Sequence, residues 1–202
     1  MRSKTQTGLL LVLGTIALII GWMGLYPADG TESAAVQAKK IMADPTIAKV
    51  AVLLGYGGMT AVLMGMFNIT RGMVTAAGKG SSYANIVFIL VAALISASII
   101  ALGLELGVTE TTSVATGEIL MSISIALASS IQITLGLTLA LLGIGIALDK
   151  NLHIAVGVLA ILTGAAFLIS SFVDGVALDF VGWIGFMITS LVLGILTIRS
   201  KN

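Results

Sequence analysis

Residues 115–148 read ATGEILMSISIALASSIQITLGLTLALLGIGIAL, the longest nearly uninterrupted apolar stretch in the chain. A straight α-helix over residues 117–148 would be about 48 Å long at ~1.5 Å per residue, whereas the hydrocarbon core of a bilayer is ~30 Å thick. The stretch is therefore predicted to be a transmembrane helix that tilts, extends beyond the lipid or breaks. Ser129 and Gln132 lie near its middle, where a serine can bend a helix by bonding to a carbonyl one turn earlier. We favour a continuous helix that extends beyond the lipid on its Glu118 side and bends slightly near Ser129.

The composition assigns the whole chain to the same class. Of its 202 residues, 58% are hydrophobic and only 9% are charged, whereas soluble domains carry about 25% charged residues. The net charge of +1 argues against nucleic acid as a partner, because no basic patch exists to neutralise phosphates. The chain has no cysteine, which excludes thiolate chemistry and cysteine metal sites.

Five shorter apolar stretches accompany the long one, and residues 1–202 are predicted to form a single integral membrane domain. The expected fold is all-α, a polytopic transmembrane bundle of six helices. The predicted spans are residues 8–26, 45–68, 83–105, 117–148, 152–173 and 180–198.

Two local signals lie between the first two spans. Small and apolar residues fall at helical spacing over residues 34–42, which predicts a short amphipathic helix on the membrane surface in the first outer loop. Asp44 and Pro45 then have the chemistry of a helix N-cap and first helical position. Residues 71–82 contain Gly and Ser and are expected to be a loop.

The distribution of basic residues predicts the orientation. With six spans, the side that holds both termini carries seven Lys and Arg residues and the opposite side carries three. Both termini are therefore expected to be cytoplasmic, in a cell membrane. The first group is Arg2, Lys4, Arg71, Lys79, Lys150, Arg199 and Lys201, and the second is Lys39, Lys40 and Lys49.

The fourth span carries a row of small residues, Ser122, Ser129, Gly136 and Gly143, spaced every seven positions. This spacing keeps side chains on one face of a left-handed helix pair, and close backbone approach is what holds helices together in lipid. We interpret the row as a helix-packing seam.

The same span also offers polar side chains. They suggest a polar path through the membrane as an alternative to simple packing, although hydroxyl groups are common between packed helices. The candidate residues for the path are Gln132, Ser130, Thr134 and Thr138.

No ionisable residue is predicted at mid-membrane, where a transporter or proton relay would need one. The nearest candidates are Lys49, Glu105 and Glu118, all expected at the outer ends of helices. They predict either an outer charge cluster or simple interfacial positions. Trp22 and Trp183 are expected in the interfacial aromatic belt.

Motifs for cofactors and catalysis are weak. Met59, Met66 and Met73 are seven residues apart and thioethers bind copper(I), but such rows are more typical of flexible packing. A single histidine, His153, cannot supply the two- or three-histidine set of a catalytic zinc. The serines of the fourth span have no His or Lys base at similar depth. No cofactor, metal site or catalytic residue is predicted.

The chain resembles the uncharacterised small membrane proteins of the DUF4386 type. The likeness rests on GLLLVLGTIALIIG at residues 8–21 after a short basic segment, on ALLGIGIALDKNL at residues 140–152, and on GVLAILTGAAFLI at residues 157–169. The basic residue and proline of the turn between the last two segments are matched only by Lys150. The resemblance implies a multi-pass architecture and no particular chemistry.

Two functions are compatible with these features. The first, which we favour from the sequence, is a non-enzymatic structural or accessory subunit of a membrane complex, with membrane lipid and other subunits or a second copy as partners. The second is a carrier or binder of a small molecule or lipid, with a cavity beside the fourth helix. A sealed bundle would favour the first, and a cavity that reaches Ser129 and Gln132 would favour the second.

Overall fold

The computed structural model describes residues 4–149, 154–173 and 176–200. All regular structure in these ranges is helical, as the sequence predicted. The first helix, α1, continues directly into a π-helical segment, and one short and five further helices follow. They are α1 (Lys4–Leu18), the π segment (Ile19–Leu25), α2 (Ala34–Ala43), α3 (Pro45–Ala76), α4 (Ser81–Glu110), α5 (Val114–Asp149), α6 (Ile154–Ser170) and α7 (Val176–Arg199).

All of these helices except α2 form a closed ring. Each packs against the next in chain order, and α7 packs against α1. Successive contacts along a helix pair run in opposite chain directions, since Gly14 contacts Gly58 and Gly21 contacts Gly55, and likewise Gly136 contacts Gly164 and Gly143 contacts Gly157. Gly8, near the start of α1, contacts Gly194, near the end of α7. Neighbours are therefore antiparallel, and α1 begins at the end of the bundle where α7 finishes. The other end, which carries the π segment and α2, is called the α2 end below.

The bundle is apolar inside and outside. Leu11, Leu63, Leu135 and Phe167 are fully buried in a core to which all six ring helices contribute. Large aliphatic side chains on the outer surface are nevertheless well exposed, as a lipid-facing surface requires. Five helices, with the π segment counted as part of the first, are long and apolar enough to cross a membrane, and α6 is a shorter apolar helix. The chain is thus a multi-pass helical bundle suited to a membrane.

Helix α5 passes Ser129 without a break and runs from Val114 to Asp149, as favoured from its sequence. The end of α3 differs from expectation. Helix α3 continues to Ala76, so the loop expected over residues 71–82 is reduced to a tight turn. Ala77 ends α3 in the left-handed conformation, with φ 50°. The helix extends past its predicted end because Met73 still packs into the core, while the exposed residues around it need no burial to stay hydrogen-bonded.

The predicted short helix in the first outer loop is present as α2, but it packs on protein. Ala38 and Ile41 are fully buried in a small cluster with Val108 and Met121. Its apolar face is therefore turned toward the bundle and not toward the lipid surface. The predicted N-cap that follows is confirmed, since a carboxylate oxygen of Asp44 accepts a hydrogen bond from the backbone N–H of Ile47 at 3.2 Å.

Glycines set the spacing between α5 and α6. A Cβ atom on Gly164 would lie 2.5 Å from the carbonyl oxygen of Gly136, and Gly143 faces Gly157 in the same way one heptad along. These contacts lie in the second half of α5. The two serines of the predicted seam, Ser122 and Ser129, are exposed, so the first half of α5 has no equivalent contact.

Candidate functional site

A cavity of about 990 Å³ lies at the α2 end of the bundle. The π segment, the loop after it, and helices α2, α3, α4, α5 and α7 all contribute to its walls. It extends from exposed loop residues at the mouth, such as Thr31, to buried residues such as Ser98. On α5 it reaches Ser129 and Gln132. Small-molecule sites in proteins occupy about 300–1,000 Å³, so this space is large enough for a ligand.

The most unusual group in the wall is the carboxylate of Glu105, which is only 5% exposed. One of its oxygens accepts hydrogen bonds from the hydroxyls of Tyr56 at 2.7 Å and Ser124 at 2.9 Å. The other accepts a bond from the Tyr26 hydroxyl at 2.9 Å. Three different parts of the chain thus supply O–H donors to one acid. Hydrogen bonds of this kind stabilise an ionised carboxylate, whereas burial opposes its ionisation.

The position of Glu105 differs from the one expected. We predicted it at the outer interface, as the last residue of its span, but α4 continues to Glu110 and Glu105 lies inside the bundle. Two features of the sequence could have indicated a buried Glu105. One is the apolar run around it, and the other is Tyr56, whose hydroxyl lies in the middle of an apolar span and needs a hydrogen-bonding partner there.

Aromatic rings form another part of the wall. The ring of Trp22 contacts those of Tyr56 and Trp183 edge-on, with centroids 5.3 Å and 5.5 Å apart. Trp183 also packs edge-on against Phe167 at 5.2 Å. The two tryptophans, which were expected in an interfacial belt, are partly buried and contact each other at the α2 end of the bundle. Each such ring pair contributes about 0.5–1.5 kcal/mol beyond the area it buries.

Glycine residues near these rings allow the rings and the helices to approach closely. A Cβ atom on Gly55 would lie 2.5 Å from Cδ1 of Trp22, so the absence of a side chain at position 55 permits the indole to lie against α3. Gly21, which precedes Trp22, approaches the backbone of α3 at the same place. The π segment itself widens the helix just before the chain enters the outer loop, a distortion that is frequent at functional sites.

Polar groups also face the cavity from α4 and α5. The amide nitrogen of Gln132 donates hydrogen bonds to Asp179 at 2.7 Å and to Ser170 at 3.0 Å, which ties α5 to the ends of α6 and α7. Ser98 is fully buried, and its hydroxyl has no hydrogen-bonding partner in the described structure. A buried hydroxyl without a partner is uncommon in proteins and marks a place where a ligand or water can bind.

The loop at the mouth is held by its own polar contacts. The Thr31 backbone N–H and hydroxyl donate to Asp29, both at 2.9 Å, and they hold the pKa of that carboxyl below its ordinary value. Lys40 binds Glu32 at 2.6 Å and lowers the pKa of Glu32. Both carboxylates are therefore charged at neutral pH. Their contacts stabilise the loop above the ordinary carboxyl pKa, and that stabilisation is lost as the pH falls through the lowered pKa values.

The residues of the candidate polar path are in different environments. Gln132 lines the cavity, whereas Ser130, Thr134 and Thr138 each donate to a carbonyl one turn earlier on α5. Such bonds satisfy the hydroxyls within their own helix. Ser129, from the packing row, bonds back to Ile125 in the same way but lines the cavity.

The three residues of the candidate outer charge cluster do not share a contact in the structure. Lys49 forms its ion pair with Glu110, at 2.5 Å. Glu105 is bound by hydroxyls, and Glu118 is exposed. Met59, Met66 and Met73 are all buried in the main core. His153 and Lys150 lie outside the described residues.

Comparison with protein-family models, curated proteins and solved structures finds no match to this chain. The resemblance to the DUF4386-type proteins therefore stays a prediction. The function has to be argued from the geometry alone.

Proposed function

We propose that this chain is a non-enzymatic, multi-pass protein of the cell membrane that binds or carries a small molecule or a lipid in the cavity beside α5. The observation that carries the proposal is the cavity of about 990 Å³ that reaches Ser129 and Gln132. A purely structural or accessory subunit needs no such space, because its function is served by a sealed bundle. Apolar walls with a few convergent polar groups are typical of ligand sites.

The proposed topology has six spans, with both termini in the cytoplasm. It is supported by the closed antiparallel ring and by the excess of basic residues at the end away from α2. In this orientation the mouth of the cavity faces the outside of the cell. Membrane lipid then surrounds the bundle, and no nucleic acid is expected as a partner.

The test is to obstruct the part of the cavity beside α5 without disturbing the helix contacts. Ala128 and Ala126 are exposed small residues two positions apart on α5, but only Ala128 lines the cavity. We expect Ala128→Phe to lose whatever lipid or small molecule is retained by the unaltered protein. Ala126→Phe, the matched control, should retain it.

Retention is measured by native mass spectrometry of the full chain released from mild detergent, followed by identification of the bound mass. Thermal unfolding, followed by circular dichroism, verifies that both variants fold. A bound molecule that remains after Ala128→Phe, or an unaltered protein that carries none from its native membrane and binds no added lipid, would refute the proposal.

A further inference from the structure

The walls of the cavity have an unbalanced charge. Among the described lining residues, three are acidic, namely Asp29, Glu105 and Asp179, and one, Lys40, is basic. Lys40 is paired with Glu32 at the mouth, at 2.6 Å, and so does not neutralise the interior. A ligand that enters this space meets a negative potential, which favours cations.

Glu105 has no basic partner in the described structure. All three of its hydrogen bonds come from neutral hydroxyls. Taking a carboxylate out of water is costly unless a counter-ion or many hydrogen bonds compensate. Three hydroxyl donors supply part of that compensation, and they leave the second oxygen of the carboxylate with a single donor. A cation bound in the cavity would supply the rest.

The aromatic rings match the same chemistry. Trp22, Tyr56 and Trp183 line the cavity, and the faces of indole and phenol rings attract organic cations. An inorganic ion gains less from such walls, because it is bound best by several oxygen ligands. Among the described residues no cluster of three or more acidic, His or Cys side chains could hold a metal ion.

Ser98 provides an independent indication of a ligand. It is on the same helix as Glu105 and seven residues before it, so it lies about 10 Å deeper along the same face at ~1.5 Å per residue. Its hydroxyl is fully buried, lines the cavity and has no hydrogen-bonding partner. The polar interior thus extends beyond the carboxylate and has a hydrogen-bonding group free at depth.

From these features we infer that the ligand is an organic cation, an ammonium group on an apolar or aromatic body, with the charge beside Glu105 and the body among the rings. This inference rests on the proposed binding function and specifies its ligand class. It predicts that the charge of the ligand, and not its apolar body alone, decides the affinity.

The experiment uses the tryptophans as reporters, because both tryptophans of the chain line the cavity. The full chain is placed in nanodiscs of uncharged phosphatidylcholine and titrated with 2-phenylethylammonium, 2-phenylethanol and phenylacetate. These probes share one carbon skeleton and are cationic, neutral and anionic. We expect a saturable change of tryptophan emission with the cation, binding of the alcohol at least about tenfold weaker, and none of phenylacetate.

Glu105→Gln should remove the preference for the cation, with a loss of about tenfold or more, as expected when one partner of a buried charge pair is neutralised. Glu118→Gln makes the same chemical change at an exposed position and should leave binding unchanged. If Glu105→Gln fails to fold, the three probes on the unaltered chain still decide the question.

Two results would overturn the inference. Equal saturable binding of the cation and the alcohol would show a cavity that binds by apolar contact, so the proposed function would stand and the cation would be wrong. Absence of saturable binding by all three probes would also reject the cation. The retention experiment with Ala128→Phe then decides separately whether the cavity binds anything.

Discussion

Replacing Tyr56 by Phe tests whether the buried carboxylate is charged. The substitution removes one oxygen, whose hydrogen bond to Glu105 is 2.7 Å long, and leaves the ring in its contact with Trp22. Tyr56 is 5% exposed, so its ring stays packed when the hydroxyl oxygen is removed. The change in the free energy of unfolding therefore reports the strength of a single hydrogen bond.

The size of the change in unfolding free energy distinguishes a charged Glu105 carboxylate from a neutral carboxyl group. Hydrogen bonds between neutral side chains of membrane helices contribute ~0.6 kcal/mol on average and at most ~1.7 kcal/mol. Hydrogen bonds to charged groups contribute about 1.5–3 kcal/mol. Three neutral donors surround Glu105, which lacks a basic partner in the described structure, and this arrangement fits a charged carboxylate that accepts all three bonds. We therefore expect Tyr56→Phe to lower the free energy of unfolding by about 2 kcal/mol.

The other two tyrosines of the chain provide a graded control. Tyr26→Phe removes a longer bond to Glu105, 2.9 Å, from a less buried side chain, so it should cost less than Tyr56→Phe. Tyr83 donates no hydrogen bond to Glu105 in the described structure, and Tyr83→Phe should stay within about 0.5 kcal/mol of the unaltered protein.

The assay is reversible unfolding by sodium dodecyl sulfate in mixed micelles, followed by far-ultraviolet circular dichroism. A double-mutant cycle of Tyr56→Phe with Glu105→Gln isolates the pairwise energy. A cost near 0.6 kcal/mol would mean that the carboxyl is neutral in the absence of ligand. Equal costs for Tyr56→Phe and Tyr83→Phe, or a coupling energy of zero, would refute the described site.

Two further predictions concern the fold. A Cβ atom on Gly164 would lie 2.5 Å from the Gly136 carbonyl oxygen, whereas a Cβ atom on Gly103 would have nothing within 4 Å. We therefore expect Gly164→Ala to destabilise the bundle by about 1–3 kcal/mol and Gly103→Ala to be neutral or slightly stabilising. Equal costs in the same unfolding assay would contradict the α5–α6 contact. The second prediction concerns the topology. The chain has no cysteine, so Lys39→Cys and Lys79→Cys each introduce a unique thiol. An impermeant maleimide should label Cys at position 39 in intact cells and Cys at position 79 only after lysis, and labelling of both positions from one side would exclude the proposed topology.

Much of the fold could be predicted because its signals are local. The length and apolar character of each run predict the helices, and the Asp44–Pro45 pair predicts where α3 begins. Boundaries were less accurate where polar residues continue a helix beyond its apolar part, as in the last turns of α3. Composition does not separate an exposed helical turn from a loop.

The site was harder to predict because its partners are far apart in sequence. Glu105 is bonded to residues 49 and 79 positions away, and nothing near it in the sequence specifies those contacts. Seen alone, Glu105 at the edge of an apolar run is compatible with an interfacial position. Trp22 and Trp183 pose the same problem, because a tryptophan near the end of a span fits an interfacial belt as well as an interior wall.

The position of the cavity follows from where α6 ends, because its last residue, Ser170, is bonded to Gln132 midway along α5. In its second half, Gly136 and Gly143 bring the α6 backbone close, and the helices leave no space between them. In its first half, small side chains such as Ala128 and Ser129 are exposed and line the cavity, and the rings of Trp22 and Trp183 form another part of its wall. The features that close the bundle and those that open the cavity therefore lie in different halves of α5. For this reason a bulky residue at position 128 should obstruct the cavity beside α5 without loosening the glycine contacts that hold the helices together.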